Sequence, residues 1–327
     1  MSTQSFPFPD EVPMQVNSTA RKTASPRTSA GHCLITGGSG FIGRHLAAGL
    51  KQPRILSRNP ATVSNPLPGA EYRRWDCRSR PDSTLFTGID TVFHLAGESV
   101  FRGRWTRTRK QKILESRIDS TRLLVAAMAD LERPPTTLVC ASAIGYYGDR
   151  GAEVLDEESG PGEGFLARVC REWEAEAMRA AEHGIRTVCI RTGIVLGKDG
   201  GALPMMLPPF RLGLGGRLGS GDQYMSWIHI DDLTGIMAFS AAAPQCSGPV
   251  NGVAPAPVTN REFTAALAAA LHRPALLPVP SFLLRMLLGE FAEVLLGSQR
   301  VVPGRAQAAG YRFRFPDLTL ALTDLLS

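Results

Sequence analysis

Two adjacent tyrosines, Tyr146 and Tyr147, stand in the segment ASAIGYYGDR, between an apolar run and a turn glycine. A tyrosine transfers protons near neutral pH only where its surroundings lower the phenol pKa from about 10, and a nearby lysine is the usual cause. No lysine stands four residues after any of the five tyrosines, and Arg150 is the cation at that spacing from Tyr146. Because Gly148 and Asp149 favour a turn, helical proximity is not expected. The pair is therefore a candidate for acid catalysis and, equally, for packing.

Glycines recur with the spacing GxxGxxG in LITGGSGFIGRHL, directly after a strand-like run and at the start of a helical pattern. Amides at a helix N-terminus bind a diphosphate, and glycine leaves no side chain in the way. A tight turn without a ligand is the alternative, but the strand, turn and helix context favours a dinucleotide site. The residues that we assign to this site are Gly37, Gly38, Gly40, Phe41, Ile42 and Gly43.

The second strand-like run, PRIL, ends in Ser57 and Arg58, and no acidic residue occurs between Gly43 and Glu71. An acid at this strand end accepts hydrogen bonds from the ribose of NAD, whereas a guanidinium suits the 2′-phosphate of NADP. The sequence therefore predicts NADP as the cofactor, in contact with Ser57 and Arg58. The alternative is that Arg58 is a solvated loop residue.

Two more strand ends are expected to meet the adenosine of the cofactor. The segment RRWD puts Asp76 where a carboxylate reaches an adenine edge, although a turn aspartate is equally typical of this position. The run TVFHLAG ends in Leu95, Ala96 and Gly97, which leave room for the backbone to lie along the adenosine. Both predictions depend on the fold.

Strand-like runs alternate with amphipathic helical stretches over much of the chain. The runs are HCLIT, PRILS, TVFHLAG, TTLVCAS and TVCIRTG. This alternation predicts an α/β fold, a Rossmann-like doubly wound parallel sheet with helices on both faces. Loops rich in Gly and Pro, followed by helices, predict a smaller C-terminal substrate lobe.

The chain is expected to divide into three segments. Residues 1–30, rich in Ser, Thr and Pro, predict a disordered tail, and Asp10 and Glu11 disfavour the alternative of a transit segment. Residues 31–200 are the predicted NADP-binding domain. Residues 201–327 are the predicted substrate lobe with a C-terminal helical domain, and sheet elements are expected to return around 225–255. Within the lobe, TNRE has capping-box form, and Ser281 is expected to cap the helix FLLRMLLGEFAEVLL.

Composition limits the class of protein. Of the 327 residues, 43% are hydrophobic and 20% charged, as in ordinary soluble globular proteins. The net charge of +6 reflects general arginine richness, and no basic run is interleaved with aromatics, so we expect no nucleic-acid partner. Charges interrupt the most apolar C-terminal segment, so we expect no membrane partner. We predict no metal site, and six cysteines without a CxxC pair favour a cytoplasmic location.

These residues together resemble the extended short-chain dehydrogenase/reductase superfamily. The finer pattern resembles its NAD(P)-binding "epimerase family" branch, which has a short C-terminal domain of unknown function. The matching segments span about residues 32–325 and include LITGGSGFIG, HLAGESV, ASAIGYYG, SWIHIDDL and NGVAPAPVTN. The resemblance implies a Rossmann-type NADP site and a substrate lobe.

The resemblance also implies a tyrosine and a lysine four residues apart on the helix GFLARVCREWEAEAMRAAEHG, and this chain lacks the pair. Depending on register, Phe165 and Val169 or Leu166 and Cys170 stand at those positions. Either register makes the face apolar and removes the usual acid.

A second departure concerns the substrate. Sugar-nucleotide epimerases of the superfamily have an arginine just ahead of the FIHVDD-like segment, which binds the diphosphate of the sugar nucleotide. In this chain Met225 or Ser226 takes that place. A nucleotide sugar is therefore less expected, unless Arg211 or Arg217 replaces the lost contact.

Further roles follow from the resemblance alone. Arg117 stands where a helix asparagine usually lines the active site, so it is expected to hold a cofactor phosphate or an acidic substrate, with a surface arginine as the alternative. Ser142, or a neighbour one register step away, stands at the position of the catalytic Ser/Thr that binds the substrate oxygen. One of the two tyrosines is expected to face the nicotinamide pocket, and Val195 is assigned to the cofactor site.

The leading hypothesis is an NADP-dependent oxidoreductase or epimerase-like enzyme with an atypical active site and an unknown small-molecule substrate. The alternative is a non-catalytic NADPH-binding sensor or scaffold, and a homodimer is left open. The lesser candidates for chemistry are Glu98, His229, Asp231 and Asp232. In IHIDDL, a tie between the sheet and the substrate lobe is the favoured role.

Overall fold

The computed structural model describes residues 32–101 and 103–327, so the predicted tail at 1–30 lies outside the described residues. The strands are β1 (Cys33–Thr36), β2 (Arg54–Ser57), β3 (Glu71–Arg74), β4 (Thr91–His94), β5 (Thr137–Ala143), β6 (Val154–Leu155), β7 (Arg186–Thr192), β8 (Ile194–Leu196), β9 (Tyr224–Met225), β10 (Trp227–His229), β11 (Gly248–Gly252), β12 (Val258–Thr259) and β13 (Arg300–Val301). The α-helices are α1 (Phe41–Ala48), α2 (Arg107–Ala129), α3 (Phe165–Met178), α4 (Leu203–Arg211), α5 (Ile230–Ala242), α6 (Asn260–Ala270), α7 (Ser281–Leu288), α8 (Ala292–Leu296), α9 (Gly304–Ala308) and α10 (Leu318–Leu326).

Seven strands form one parallel sheet in the order β11-β7-β5-β4-β1-β2-β3. The chain winds outward in both directions from β1, so the expected Rossmann-like, doubly wound fold is confirmed. The edge strand β11 comes from the 225–255 region, so the sheet does not end at residue 200. In such sheets ligands bind at the carboxyl ends of the strands beside the switch point, which here lies between β1 and β4.

Helices cover both faces of the sheet. Leu34 and Ile35, neighbours on β1, are fully buried in opposite cores, because successive side chains of a strand point to opposite faces. The core around Ile35 includes Leu46 of α1 and Ile236 of α5. The core around Leu34 includes residues of α2 and α3. None of the helices in the described part of the chain is long and apolar enough to cross a bilayer.

The C-terminal lobe has its own core, to which α4, α6 and α10 contribute. Thr259 and Glu262 form the expected capping box at the start of α6. The prediction for Ser281 was wrong: α7 begins at Ser281 itself, Pro280 is the N-cap residue, and no side chain caps the helix. The single helix expected beyond it is broken at Gly289, whose φ of +61° is left-handed and ends α7.

The IHIDDL segment joins the Rossmann domain to the end of the chain. The Asp232 carboxylate accepts hydrogen bonds from the backbone amides of Arg314 and Phe315, each at 2.8 Å. It also accepts one from the Tyr311 hydroxyl at 3.1 Å. The His229 ring stacks on Phe315 with a centroid distance of 3.9 Å. These contacts support a structural tie as the role of the segment.

Candidate functional site

The turn between β1 and α1 packs directly against the end of β4. Gly37 is left-handed, with a φ of +70°, and a Cβ on it would lie 2.8 Å from the Ala96 nitrogen. A Cβ on Gly43 would lie 2.4 Å from the Gly37 carbonyl oxygen. Both distances are too short for a side chain, so glycine is required at each place for close approach. The turn thereby keeps its backbone at the edge of the sheet.

The N-terminus of α1 is open to an anion. Gly40 is its N-cap residue, no side chain caps the helix, and its first turn holds no acidic residue. Uncapped amides and the helix dipole together favour negative charge at this end. The Phe41 ring packs against the loop after β8, where a Cβ on Gly200 would lie 2.4 Å from Phe41 Cδ2. Phe41 therefore anchors the helix, while the amides of the first turn are left for a ligand.

Arg58 is exposed just beyond the end of β2. Its charge acts on Cys77, which follows β3, so the guanidinium lies near the ends of both strands. Ser57 is half-buried, and its Oγ accepts a hydrogen bond from the Asn59 amide at 3.3 Å. The absence of an acidic residue and the presence of a cation at the end of β2 fit a phosphorylated adenosine better than a free ribose.

Asp76 is a turn residue in the structure, which is the alternative interpretation of its position. Its Oδ1 accepts hydrogen bonds from the amides of Arg78 at 2.9 Å and Ser79 at 3.2 Å, and these bonds lower the pKa of its carboxyl. The carboxylate is thus occupied within its own loop. A contact between Asp76 and adenine stays a prediction.

A buried histidine that the sequence analysis missed fixes the end of β4. His94 hydrogen-bonds the hydroxyls of Thr36 on β1 at 2.7 Å and Thr121 on α2 at 3.0 Å. Burial lowers its pKa to about 3, so the ring is neutral at physiological pH. Thr36 Oγ1 in turn accepts from the Ala96 amide at 3.2 Å. This network holds residues 95–97 beside the glycine turn, and the histidine inside the apolar run VFHLA was the signal for it.

Arg117 extends from α2 to the end of β4. Its Nη1 donates to the main-chain oxygens of Glu98 at 2.9 Å and Ile113 at 3.1 Å. A Cβ on Gly97 would lie 3.2 Å from Arg117 Cζ, and the Trp173 ring centroid is 5.0 Å from the same atom. The structure therefore brings Arg117 and Gly97 together, as expected of residues that line one site.

The structure shows which residues of α3 lie beside the end of β5. A Cβ on Gly145, just after β5, would lie 3.1 Å from Leu166 Cβ, and the Cys170 thiol lies near Ser142 at the end of β5. Phe165 instead packs on Trp105, with a centroid distance of 5.3 Å. Burial raises the pKa of Cys170 to about 11, so the thiol is protonated at neutral pH. Leu166 and Cys170 are thus at the end of β5, and neither supplies a phenol or an amine.

Ser142 belongs to a buried ionic network. Its hydroxyl donates to Glu174 Oε1 at 2.6 Å. Arg191 on β7 binds the same carboxylate with two nitrogens, from Nε at 2.9 Å and from Nη2 at 2.8 Å. The single charge inside the mainly apolar segment TVCIRTG was the signal for this pair, because buried charges are almost always paired. In this structure the hydroxyl expected to bind the substrate oxygen is already bound to Glu174.

The two tyrosines also contact Arg191. The Tyr147 hydroxyl is fully buried, donates to Asn251 Oδ1 at 2.7 Å and accepts from Arg191 Nη1 at 3.0 Å. Burial raises the pKa of Tyr147 to about 12. Arg191 Cζ lies 3.5 Å from the Tyr146 ring centroid. Because β7 is on the side of β5 away from β4, both rings are turned away from the glycine turn. That one of them faces the nicotinamide pocket stays a prediction, as does a catalytic role for either tyrosine.

The other residues considered in the sequence analysis lie in the substrate lobe or at its junction with the sheet. Val195 on β8 is half-buried against the core that contains α1 and α5. Met225 and Ser226 are buried, and neither offers a charge to a diphosphate. Arg211 and Arg217 are exposed. No group of three or more possible metal ligands lies close together in residues 32–101 and 103–327.

Comparison with known families agrees with this geometry. Residues 33–251 match the family described as "NAD dependent epimerase/dehydratase family". The chain belongs to this family. Residues 279–325 match "Domain of unknown function (DUF1731)", which covers α7 to α10.

Relatives of this family extend over nearly the whole chain. The protein is 41% identical over 302 residues to the epimerase family protein SDR39U1 of Mus musculus, which covers 90% of this chain and 99% of that protein. It is 38% identical over 298 residues to the epimerase family protein YfhF of Bacillus subtilis, and this match covers 90% of this chain and 97% of YfhF. The expected resemblance to the epimerase family is confirmed.

Solved structures show the same fold. The crystal structure of human epimerase family protein SDR39U1 with NADPH has a TM-score of 0.80 at 38% identity and covers 90% of this chain and 98% of that one. The Thermus thermophilus UDP-glucose 4-epimerase complex with NAD has a TM-score of 0.68 at 20% identity, with 90% and 97% covered. The second likeness concerns the fold alone.

Proposed function

We propose that this protein is an NADP(H)-dependent oxidoreductase that acts on a small-molecule substrate. The observation that carries the proposal is the uncapped N-terminus of α1, with Arg58 rather than an acid at the end of β2. The similar human protein was crystallised with NADPH, which supports the same cofactor for this chain.

The residues at the carboxyl ends of the strands have distinct roles in this proposal. The first-turn amides of α1 hold the diphosphate, and Arg58 binds the 2′-phosphate of the adenosine. With the adenosine at β2 and β3, the nicotinamide lies toward β4 and β5, where Gly97 and Arg117 meet. When bound, the nicotinamide accepts or supplies a hydride. The substrate binds between the carboxyl ends of these strands and the C-terminal lobe.

Hydride transfer to a carbonyl also requires a proton for the substrate oxygen. The positions of Leu166 and Cys170 do not hold the tyrosine and lysine that usually supply it. Ser142 retains the proposed role of orienting the substrate oxygen only if its hydroxyl exchanges Glu174 for the substrate. Tyr146 and Tyr147 require a similar rearrangement around Arg191. The proposed enzyme is therefore atypical in how it handles the proton.

The same apolar face favours a second candidate function, a sensor that binds NADPH without turning it over. Leu166 has no acidic proton, and burial raises the pKa of the Cys170 thiol to about 11, so these positions provide neither the phenol nor the amine of the usual pair. The two candidates share the cofactor site and differ only in chemistry at the nicotinamide end.

The cofactor assignment is tested by equilibrium binding of NADPH and NADH, followed by quenching of protein fluorescence. A charge-assisted contact is worth about 1.5–3 kcal/mol, so we expect NADPH to bind about 10- to 100-fold more tightly than NADH. Arg58→Gln should remove most of this preference. Arg168→Gln is the control, because Arg168 is an exposed arginine on α3. Equal affinities for the two dinucleotides in the wild-type protein would refute the role of Arg58.

The enzyme and the sensor are separated by isotope transfer. The protein is incubated with a cellular small-molecule extract and NADPH that carries deuterium at either face of C4. Deuterium found by mass spectrometry in a product, from one face only and lost with heat-inactivated protein, supports the oxidoreductase. An absence of labelled product, with NADPH binding intact, supports the sensor.

A further inference from the structure

Arg117 presents an open guanidinium edge at the carboxyl ends of β4 and β5. Its Nη1 is bound to two main-chain oxygens, those of Glu98 and Ile113. Nε and Nη2 donate no hydrogen bond within the part of the chain that the structure describes. Neither nitrogen is fully buried. Two adjacent N–H groups of this kind bind the two oxygens of a carboxylate side by side.

The guanidinium is held in place by its neighbours. Gly97 is not left-handed, so its backbone conformation would admit other residues. A Cβ at that position, however, would lie 3.2 Å from Cζ and 3.4 Å from Nη2 of Arg117. A side chain at position 97 would therefore crowd the guanidinium. With the Trp173 ring centroid 5.0 Å from Cζ, the edge is preorganised, which favours binding.

The positive charge of Arg117 has no carboxylate bound to it. Among residues 32–101 and 103–327, Arg117 forms no ion pair. The Glu98 carboxylate is bound by Arg109 at 2.8 Å, and its charge also acts on Arg117 without forming an ion pair with it. Nη1 of Arg117 binds the main-chain oxygen of Glu98. Arg117 is partly buried, and burial lowers its pKa, because the charged form is poorly solvated there. A partly buried cation without a directly bound carboxylate is costly, and a ligand anion in contact with it offsets part of that cost.

The position of Arg117 identifies the end of the ligand that it meets. The glycine turn, which is the proposed diphosphate site, touches Ala96, and Arg117 lies one residue further on, beside Gly97. Arg117 also acts on Cys170 of α3, on the β5 side of this point. The open edge therefore lies beyond the diphosphate, toward the place where a substrate meets the nicotinamide.

We propose that Arg117 binds a carboxylate of the substrate, so that the substrate is a small carboxylic acid. This inference rests on the proposed function, since it needs NADP(H) bound along the same edge. A cofactor phosphate is the other anion that the open edge would accept, and the two sources predict different effects of the same substitution.

The test uses the full chain saturated with NADP⁺ and four probes: pyruvate, its neutral amide pyruvamide, phenylacetate and its neutral amide phenylacetamide. Binding is measured by isothermal titration calorimetry. We expect the wild-type protein to bind at least one acid about 10- to 100-fold more tightly than its amide, as a bidentate charged contact implies. Arg117→Met should abolish that preference, and Arg117→Lys should retain only part of it. Lys112→Met, an exposed cation on the same helix, is the matched control.

The outcomes are separable. No preference for either acid over its amide in the wild-type holoprotein overturns the inference without any variant. A loss of NADP⁺ affinity of about tenfold or more in Arg117→Met, with the acid preference intact, assigns Arg117 to the cofactor and also overturns it. If the wild-type protein binds no NADP⁺ at all, the proposed function itself has failed. Melting temperatures of all variants show which of them remain folded.

Discussion

Removal of the Glu174 carboxylate tests the buried network at the end of β5. Arg191 is bound through two nitrogens to Glu174, and both side chains are almost fully buried, with 4% and 11% exposure. Breaking a buried ion pair by removing one partner leaves the other charge unpaired and costs about 3–5 kcal/mol. Glu174→Ala also removes the acceptor of the Ser142 hydroxyl. We therefore expect a loss of free energy of unfolding of about 3–5 kcal/mol.

The assay is urea denaturation, monitored by both circular dichroism and tryptophan fluorescence, so that a single cooperative transition can be verified. The control is Glu172→Ala, two residues away on the same helix, which breaks only the surface pair with Arg168. That change should cost about 0.3–0.5 kcal/mol. The double variant Glu174→Met with Arg191→Met should recover part of the loss, because no unpaired charge remains. A Glu174→Ala loss within about 1 kcal/mol of the control would refute the reasoning.

Three further predictions follow from single contacts. Tyr147→Phe should lower the free energy of unfolding by about 1–3 kcal/mol, because Asn251 Oδ1 loses the hydrogen bond from the buried hydroxyl, and it should leave NADPH affinity unchanged. A loss of turnover with unchanged stability would instead favour a catalytic role for Tyr147. Gly43→Ala should weaken NADPH binding by about tenfold or more in a fluorescence titration, because the new Cβ would lie 2.4 Å from the Gly37 carbonyl oxygen. Gly49→Ala should leave the affinity unchanged, because the Cβ would lie 3.5 Å from its nearest neighbour, the Leu46 oxygen. The pKa of His94 is 6.5 in the unfolded state and about 3 in the folded state, so the unfolded state binds more protons between these two pH values. The free energy of unfolding should therefore decrease as the pH is lowered through this range, by up to about 1.4 kcal/mol per pH unit. Urea denaturation of His94→Gln should lack this pH-dependent decrease.

Local patterns predicted much of the fold, including the glycine turn after β1. The glycine spacing and the alternation of strands and helices depend on neighbouring residues, so the turn after β1 and the doubly wound order could be anticipated. The capping box at Thr259 is another local signal. By contrast, the length of the helix after Pro280 was overestimated, because Gly289 adopts a left-handed conformation that an apolar pattern does not reveal.

The chemistry at the end of β5 could not be predicted in the same way. The orientation of Tyr147 depends on Arg191 and Asn251, which come from strands 44 and 104 residues further along the chain. Sequence spacing does not say which strands become neighbours or which side chain pairs with a buried charge. The same holds for Arg117, whose open edge depends on the absence of a side chain at Gly97.

The most direct measurement of the central claim is a crystal structure of this protein grown with NADPH. The account predicts the diphosphate at the first-turn amides of α1, the 2′-phosphate within hydrogen-bond distance of Arg58, and the nicotinamide beside Gly97. Electron density for the dinucleotide away from the glycine turn, or a 2′-phosphate that makes no contact with Arg58, would contradict it.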